Sequence, residues 1–175
     1  MYNSEGLFKP LYDNETIQAF QNASDCIKEQ YSSFKVAGVH VNGTVTMGEN
    51  IGKNWIWISR SFFSLKNFYF KADHGGLKIA ELAYDNWLRL NEGQEVKLPA
   101  LDQFTPFQLF YLGYALPWCS VYTEAMLKTR ALKDEHAPDK FRVLGPLSNS
   151  EKFAETWACS KTAAMNPAEK CQIWG

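Results

Sequence analysis

Two short runs, Gly48-Glu49-Asn50-Ile51 and Ala72-Asp73-His74-Gly75-Gly76-Leu77, flank the segment 52–71 and decide how the chain reads. After Gly75-Gly76 the apolar residues Leu77, Ala80, Tyr84, Trp87 and Leu88 recur at helical spacing, which predicts a helix beginning near Gly75 and continuing to about Leu90. Joined end to end, the two runs would set Glu49 and Asp73 four residues apart, one above the other on a single helical face. As written, 52–71 stands between them, and both carboxylates reach one site only if that segment loops out completely.

Upstream, 14–34 predicts a helix with Asn14 as N-cap and Glu15 in its first turn. Ile17, Phe20, Ile27, Tyr31 and Phe34 fall roughly on one face, with Cys26 off the middle of that stripe. Val36 to Met47 alternates loosely and contains Asn42-Gly43, a short hairpin signal, so a small turn-rich β segment is expected before Gly48. Downstream, Thr105-Pro106 supplies an N-cap with proline at the first helical position, and Leu109, Phe110, Leu112 and Tyr114 make a nearly all-round apolar helix that should be buried. Ser150 caps a short helix carrying Phe153 and Trp157, and Asn166-Pro167-Ala168-Glu169 reads as another helical start. The expectation is one mainly α unit over 1–175, with an anomalous insertion at 52–71.

Composition sets the class. With 175 residues, 46% of them hydrophobic and 21% charged, the chain can bury a single sizeable core. A formal net charge of −1 gives no basic field for nucleic acid, which is not an expected partner. Residues 1–6 have neither the charged nor the apolar region of a signal peptide, and no apolar run is long enough to cross a bilayer. Three glycosylation sequons, at Asn14, Asn22 and Asn42, point to a secreted context. Cys26, Cys119, Cys159 and Cys171 lack CxxC spacing, so they read as disulfide cysteines for which three pairings are open.

Without 52–71 the two opening runs read GENI-AD, which resembles the third-ligand motif of the neprilysin-type (M13) zinc metallopeptidases. Further stretches are similar to segments of that family in the same order: Leu116-Pro117-Trp118-Cys119, Asp134-Glu135-His136-Ala137-Pro138 with Lys140-Phe141-Arg142-Val143-Leu144-Gly145, and the closing Cys171-Gln172-Ile173-Trp174. Tyr2-Asn3-Ser4-Glu5-Gly6 through Thr16 looks like the sequence that follows the zinc helix of these enzymes. The resemblance implies the helical C-terminal part of a thermolysin-like zinc peptidase catalytic domain with a small β/turn segment.

It also implies roles. Glu49 corresponds to the zinc ligand, Asp73 to the aspartate that orients a ligating histidine, His136 to the histidine that stabilises the oxyanion, and Arg142 to the arginine that holds the substrate backbone carbonyl. Trp118 would line the apolar pocket for the residue after the scissile bond. His74 stands where the family has Asn and is read as a tolerated surface change; His40 has no matching role and is read as structural or exposed. The cofactor implied is Zn²⁺, of which this chain supplies one ligand. The sequence contains no H-E-x-x-H, so the N-terminal part of the same peptidase is the expected partner that completes the site, besides the peptide substrates. A lone Glu49 would bind zinc weakly or not at all. By family position Cys26 pairs with Cys171, and Cys119 and Cys159 pair with cysteines of that N-terminal part.

The segment from Lys53 to Lys71 is rich in aromatic residues and holds four basic residues without an acidic one. It reads as a strand pair or surface loop, as a basic aromatic patch that meets a membrane surface, or as a translated intron. Gly52-Lys53 can be encoded by GGTAAG, and Phe68-Tyr69-Phe70-Lys71 by a pyrimidine-rich tract ending in AG, so its removal would restore the joined motif. The function the resemblance implies is a zinc metalloendopeptidase, extracellular or the ectodomain of a type II membrane protein, inactive as this chain alone. The alternative is a non-catalytic extracellular glycoprotein module that binds peptides.

Overall fold

A computed structural model describes residues 13–51, 73–93, 95 and 97–172. The readings made above for 52–71, for Tyr2 to Gly6 and for Ile173 and Trp174 therefore lie outside the described residues. Helix α1 (Asn14–Ser33) starts one residue earlier than the sequence suggested. Its N-cap is Asp13, whose carboxylate accepts the Thr16 N–H at 2.7 Å. Of the expected apolar stripe, Ile27 and Tyr31 are completely buried, whereas Ile17 and Phe20 are exposed.

The hairpin exists, but not at Asn42-Gly43. Strands β1 (Lys35–Val36) and β2 (Val39–His40) pair antiparallel around Ala37 and Gly38, both at positive φ, the backbone that a tight two-residue turn requires. Asn42 instead starts a helix, α2 (Gly43–Ile51), its side-chain oxygen accepting the Val45 N–H at 3.2 Å. Glycine is needed at 43 for a steric reason, because a Cβ there would overlap the Lys28 carbonyl oxygen of α1. Asn-Gly thus works here as cap plus close approach between helices, and the Asn42 N–H is tied to the Ala131 carbonyl at 2.7 Å.

Helix α3 (Asp73–Leu90) ends where expected but begins at Asp73, ahead of Gly75, and α4 (Pro106–Ala115) begins with a complete capping box between Thr105 and Gln108. The all-round burial expected for α4 is not found. Only Tyr111 is buried, and Leu112 lies exposed. A 3₁₀ turn (Leu116–Trp118) follows, then α5 (Glu124–Lys133), α6 (Asp139–Asn149) and α7 (Glu151–Thr156). Ser150 caps α7 as expected, accepting the Phe153 N–H at 3.0 Å. No helix forms at 166–169. The Asn166 amide donates to the Cys159 and Ser160 carbonyls, each at 3.2 Å, and so closes a loop rather than accepting a helical N–H.

Helix α6 joins the two halves of the core. Phe141 belongs to a cluster with Ile27, Tyr31, Val41 and Ile51, and Leu147 to a second cluster with Leu77, Tyr111 and Phe153. Gly145, between them, lets α6 approach the Tyr31 ring, which a Cβ would strike. A disulfide joins Cys26 of α1 to Cys171, with a Cα–Cα distance of 5.6 Å, as family position implied. It closes a loop of sequence separation 145, which contributes about 4–5 kcal/mol in the chain-entropy model. Cys119 and Cys159 are free. Among the described residues no helix is long and apolar enough to cross a membrane.

Candidate functional site

Four of the residues singled out by sequence lie on different elements: Glu49 near the end of α2, Asp73 at the start of α3, His136 in the turn after α5 and Arg142 early in α6. Asp73, the first residue of α3, is buried, and both its carboxylate oxygens are taken by Arg142 of α6. Arg142 Nε donates to Oδ2 at 2.8 Å and Nη2 to Oδ1 at 2.7 Å. This planar two-bond geometry is the strongest form of carboxylate–guanidinium pair. Burial opposes the charge on Arg142, yet the Asp73 bonds outweigh it and hold the guanidinium above its ordinary value. The Trp118 ring lies 4.0 Å beneath the guanidinium carbon and fixes its plane. Asp73 therefore ties the start of α3 to α6.

Proline at 146 also serves this arrangement. It has no N–H to offer the carbonyl four residues back, which is that of Arg142. Tyr114 fills the vacancy, its hydroxyl donating to the Arg142 carbonyl at 2.8 Å. Burial pushes the Tyr114 phenol up, so it stays a donor across the physiological range.

Glu49, on the last turn of α2, is as buried as Asp73, at 6% exposure against 8%. Its surroundings differ. Oε2 takes no hydrogen bond among the described residues. It faces His136 Nε2 at 3.4 Å, and the ligand atoms of Glu49, Glu135 and His136 all lie within 4.8 Å of one another. His136 is set by the turn that ends α5. Asp134 Oδ1 accepts the His136 backbone N–H at 2.9 Å and stands 3.3 Å from its Nδ1. Arg130 steadies that carboxylate, lying 3.5 Å from Asp134 and 3.0 Å from Asp139. Burial raises Asp134, but the His136 and Arg130 contacts prevail and keep its carboxyl below the usual range.

His74 is a correction to the surface position expected of it. It is half-buried where α2 meets α3, with Nδ1 3.1 Å from the Asn50 carbonyl oxygen and Nε2 2.9 Å from the Asn149 amide nitrogen. One tautomer satisfies both contacts: Nδ1–H donates, and Nε2 accepts. Burial lowers its pKa to about 4, against the weaker opposing effect of the Asn50 bond. Counted without 52–71, His74 is the fourth residue after Asn50, so its side chain occupies the carbonyl that a continuous helix would bond to a backbone N–H. His40 is exposed, with Nδ1 3.0 Å from the Ser32 carbonyl.

Sequence reasoning did not single out Glu135 or Tyr114. Glu135 stands inside the Asp134-to-Pro138 run and could have been found there by its acidity beside a histidine; Tyr114 carries no local signal. A cavity of about 280 Å³ lined by His74, Leu77, Glu81, Asn149, Ser150 and Cys171 contains none of Glu49, Asp73, His136 or Arg142.

Residues 70–173 match the model of peptidase family M13. Over 173 residues, 99% of the chain, the sequence is 40% identical to endothelin-converting enzyme 1 of Homo sapiens and 37% identical to neprilysin-3 of Drosophila melanogaster. It covers 20% and 19% of those proteins, so the chain spans about one fifth of the length of the curated relatives it matches. Among solved structures it resembles the Haemonchus galactose containing glycoprotein complex, with a TM-score of 0.75 and 29% identity over 91% of this chain and 24% of that one. It also resembles the zinc metalloprotease Zmp1 of Mycobacterium tuberculosis, solved with an inhibitor, with a TM-score of 0.74 and 24% identity over 99% of this chain and 24% of that one. This last likeness is one of fold: mainly α, the helical part of a thermolysin-like zinc peptidase.

Proposed function

Because the chain belongs to peptidase family M13, we propose that it supplies part of the catalytic centre of a zinc-dependent metalloendopeptidase that cleaves peptides on the amino side of apolar residues. The observation that carries this reading is the buried Glu49 carboxylate, whose Oε2 has no hydrogen-bond donor among the described residues. A buried carboxylate oxygen left in that state fits a cation.

Glu49 would hold the zinc together with ligands and a general base from an H-E-x-x-H segment outside these 175 residues. When bound, the metal supplies a water of lowered pKa and polarises the scissile carbonyl. The chain's own residues have separate tasks. Asp73 occupies Nε and Nη2 of Arg142, which leaves the Nη1 hydrogens to donate to a peptide carbonyl. Trp118 keeps that fork flat and offers its ring to an apolar side chain. His136, turned by Asp134, donates to the carbonyl oxygen as negative charge gathers on it.

The Cys26–Cys171 bond and the exposed sequon residues Asn14, Asn22 and Asn42 favour an oxidising, extracellular setting, either secreted or as the ectodomain of a type II membrane protein. The exposed sequons also favour the second reading, a non-catalytic glycoprotein module that binds peptides through the same Arg142–His136 side.

Peptide hydrolysis by the 175-residue chain, alone and mixed with an H-E-x-x-H-bearing polypeptide from a family relative, tests the proposal. No turnover is expected from the chain alone. Turnover on complementation should be abolished by Glu49→Gln. Hydrolysis by the chain alone, or complemented hydrolysis indifferent to Glu49→Gln, overturns it, and peptide binding without turnover in either mixture favours the second reading.

A further inference from the structure

We infer that Tyr114 and Pro146 are a matched pair that positions Arg142: the proline withdraws a backbone N–H from the Arg142 carbonyl, and the Tyr114 hydroxyl replaces it and so ties the arginine to α4. The inference rests on the preceding reading for the role of Arg142 toward a peptide carbonyl. Tyr114 and Pro146 are new to that reading.

A proline inside a helix deletes one hydrogen bond, and its ring presses on the carbonyl four residues back. Pro146 is such a residue, completely buried within α6. The carbonyl it leaves without a helical donor belongs to Arg142, whose side chain is only 12% exposed. A carbonyl without a donor in such surroundings carries a desolvation penalty. The Tyr114 oxygen lies 2.8 Å from it, the usual length of a hydroxyl-to-carbonyl bond. A phenylalanine would fill the same space with no donor, so the hydroxyl is the informative atom.

The place of Tyr114 in its own element gives the contact its use. Trp118 follows four residues later, where α4 passes into the 3₁₀ turn, and its ring lies 4.0 Å from the Arg142 guanidinium carbon. The stretch 114–118 thus grips Arg142 at both ends, Tyr114 on the main chain and Trp118 on the guanidinium. Asp73 closes another side, 2.8 Å from Nε and 2.7 Å from Nη2. Any residue at 146 with an N–H would satisfy the Arg142 carbonyl within α6 and make the Tyr114 hydroxyl dispensable. With proline there, sliding α6 against α4 breaks the Tyr114 bond and moves the guanidinium off the Trp118 ring in one step. The aim of the Nη1 hydrogens, which a peptide carbonyl needs within a narrow angle, therefore depends on Tyr114.

The test is a double-substitution cycle on the 175-residue chain with its disulfide intact. Two quantities are read: the hydrogen-exchange rate of the Arg142 Nε–H by heteronuclear NMR, and the dissociation constant of a peptide with an apolar residue, for the chain alone and in the complemented mixture. Tyr114→Phe keeps the ring. It should speed exchange of that proton, which Asp73 holds, and weaken peptide binding, each by about tenfold, the scale of a buried carbonyl deprived of its donor. In the Pro146→Ala background, which restores the N–H, Tyr114→Phe should change either quantity by no more than about twofold. Pro146→Val restores the same N–H with more apolar volume and repeats the cycle should Pro146→Ala loosen α6. Equal effects of Tyr114→Phe in all backgrounds mark a merely structural hydroxyl and overturn the inference, as does an Arg142 proton indifferent to Tyr114→Phe. If the unsubstituted chain binds no peptide in either setting, the peptidase reading falls, and the exchange cycle still decides whether Tyr114 holds Arg142.

Discussion

Asp73 and Glu49 are carboxylates of nearly equal burial on facing helix ends, yet one has every oxygen engaged by Arg142 and the other has an oxygen with no hydrogen bond among the described residues. The contrast separates two uses of a buried charge. A carboxylate locked two-for-two with a guanidinium holds helices in register, because either partner left alone in the interior is costly. A carboxylate left open beside an imidazole stabilises nothing by itself and becomes useful when a cation arrives.

The largest effect should come from breaking the closed pair. Asp73→Ala leaves Arg142 uncompensated between Trp118 and Tyr114, and should lower unfolding free energy by about 3–5 kcal/mol in a denaturant titration. An intermediate effect is expected at the joint between the two regions. His74 is neutral in the folded chain, with a pKa of about 4 against about 6.5 when unfolded. The unfolded state therefore binds the proton first: stability is fully present above pH about 6.5, is lost as pH falls toward about 4, and changes no further below that. The loss should be about 3 kcal/mol, and His74→Asn should remove this part of the pH dependence. The smallest effect belongs to the open side. Glu49→Gln should alter stability by no more than about 1 kcal/mol in the absence of metal. A loss as large as that of Asp73→Ala would erase the distinction between the two carboxylates.

Much of this was legible in the chain itself. The helix through Leu77 to Leu90, the Thr105 N-cap and the Ser150 cap are local, so short-range chemistry predicts them, and the Cys26–Cys171 pair followed from family position. The misreadings arose where a tertiary contact decided between two local meanings. Asn42-Gly43 is compatible with a hairpin turn or with a helix start, and the proximity of the Lys28 carbonyl selects the second. Helices α5 and α6 mix charged and apolar residues, and only packing shows which face is inner. The Asp73–Arg142 lock spans a sequence separation of 69, and the nearness of Glu135 and His136 to Glu49 joins the turn after α5 to α2, so neither has a local signature.

The Cys26–Cys171 bond has a further consequence for chain integrity. Residues 98–100 are exposed and lie between the Glu49–Asp73 half of the site and the His136–Arg142 half. A protease that cut there would leave two polypeptides still tethered through that disulfide. Their halves would meet at high effective concentration rather than diffuse apart. Severing the backbone would then not be enough to separate the site, and only reduction of that one bond would make the break final.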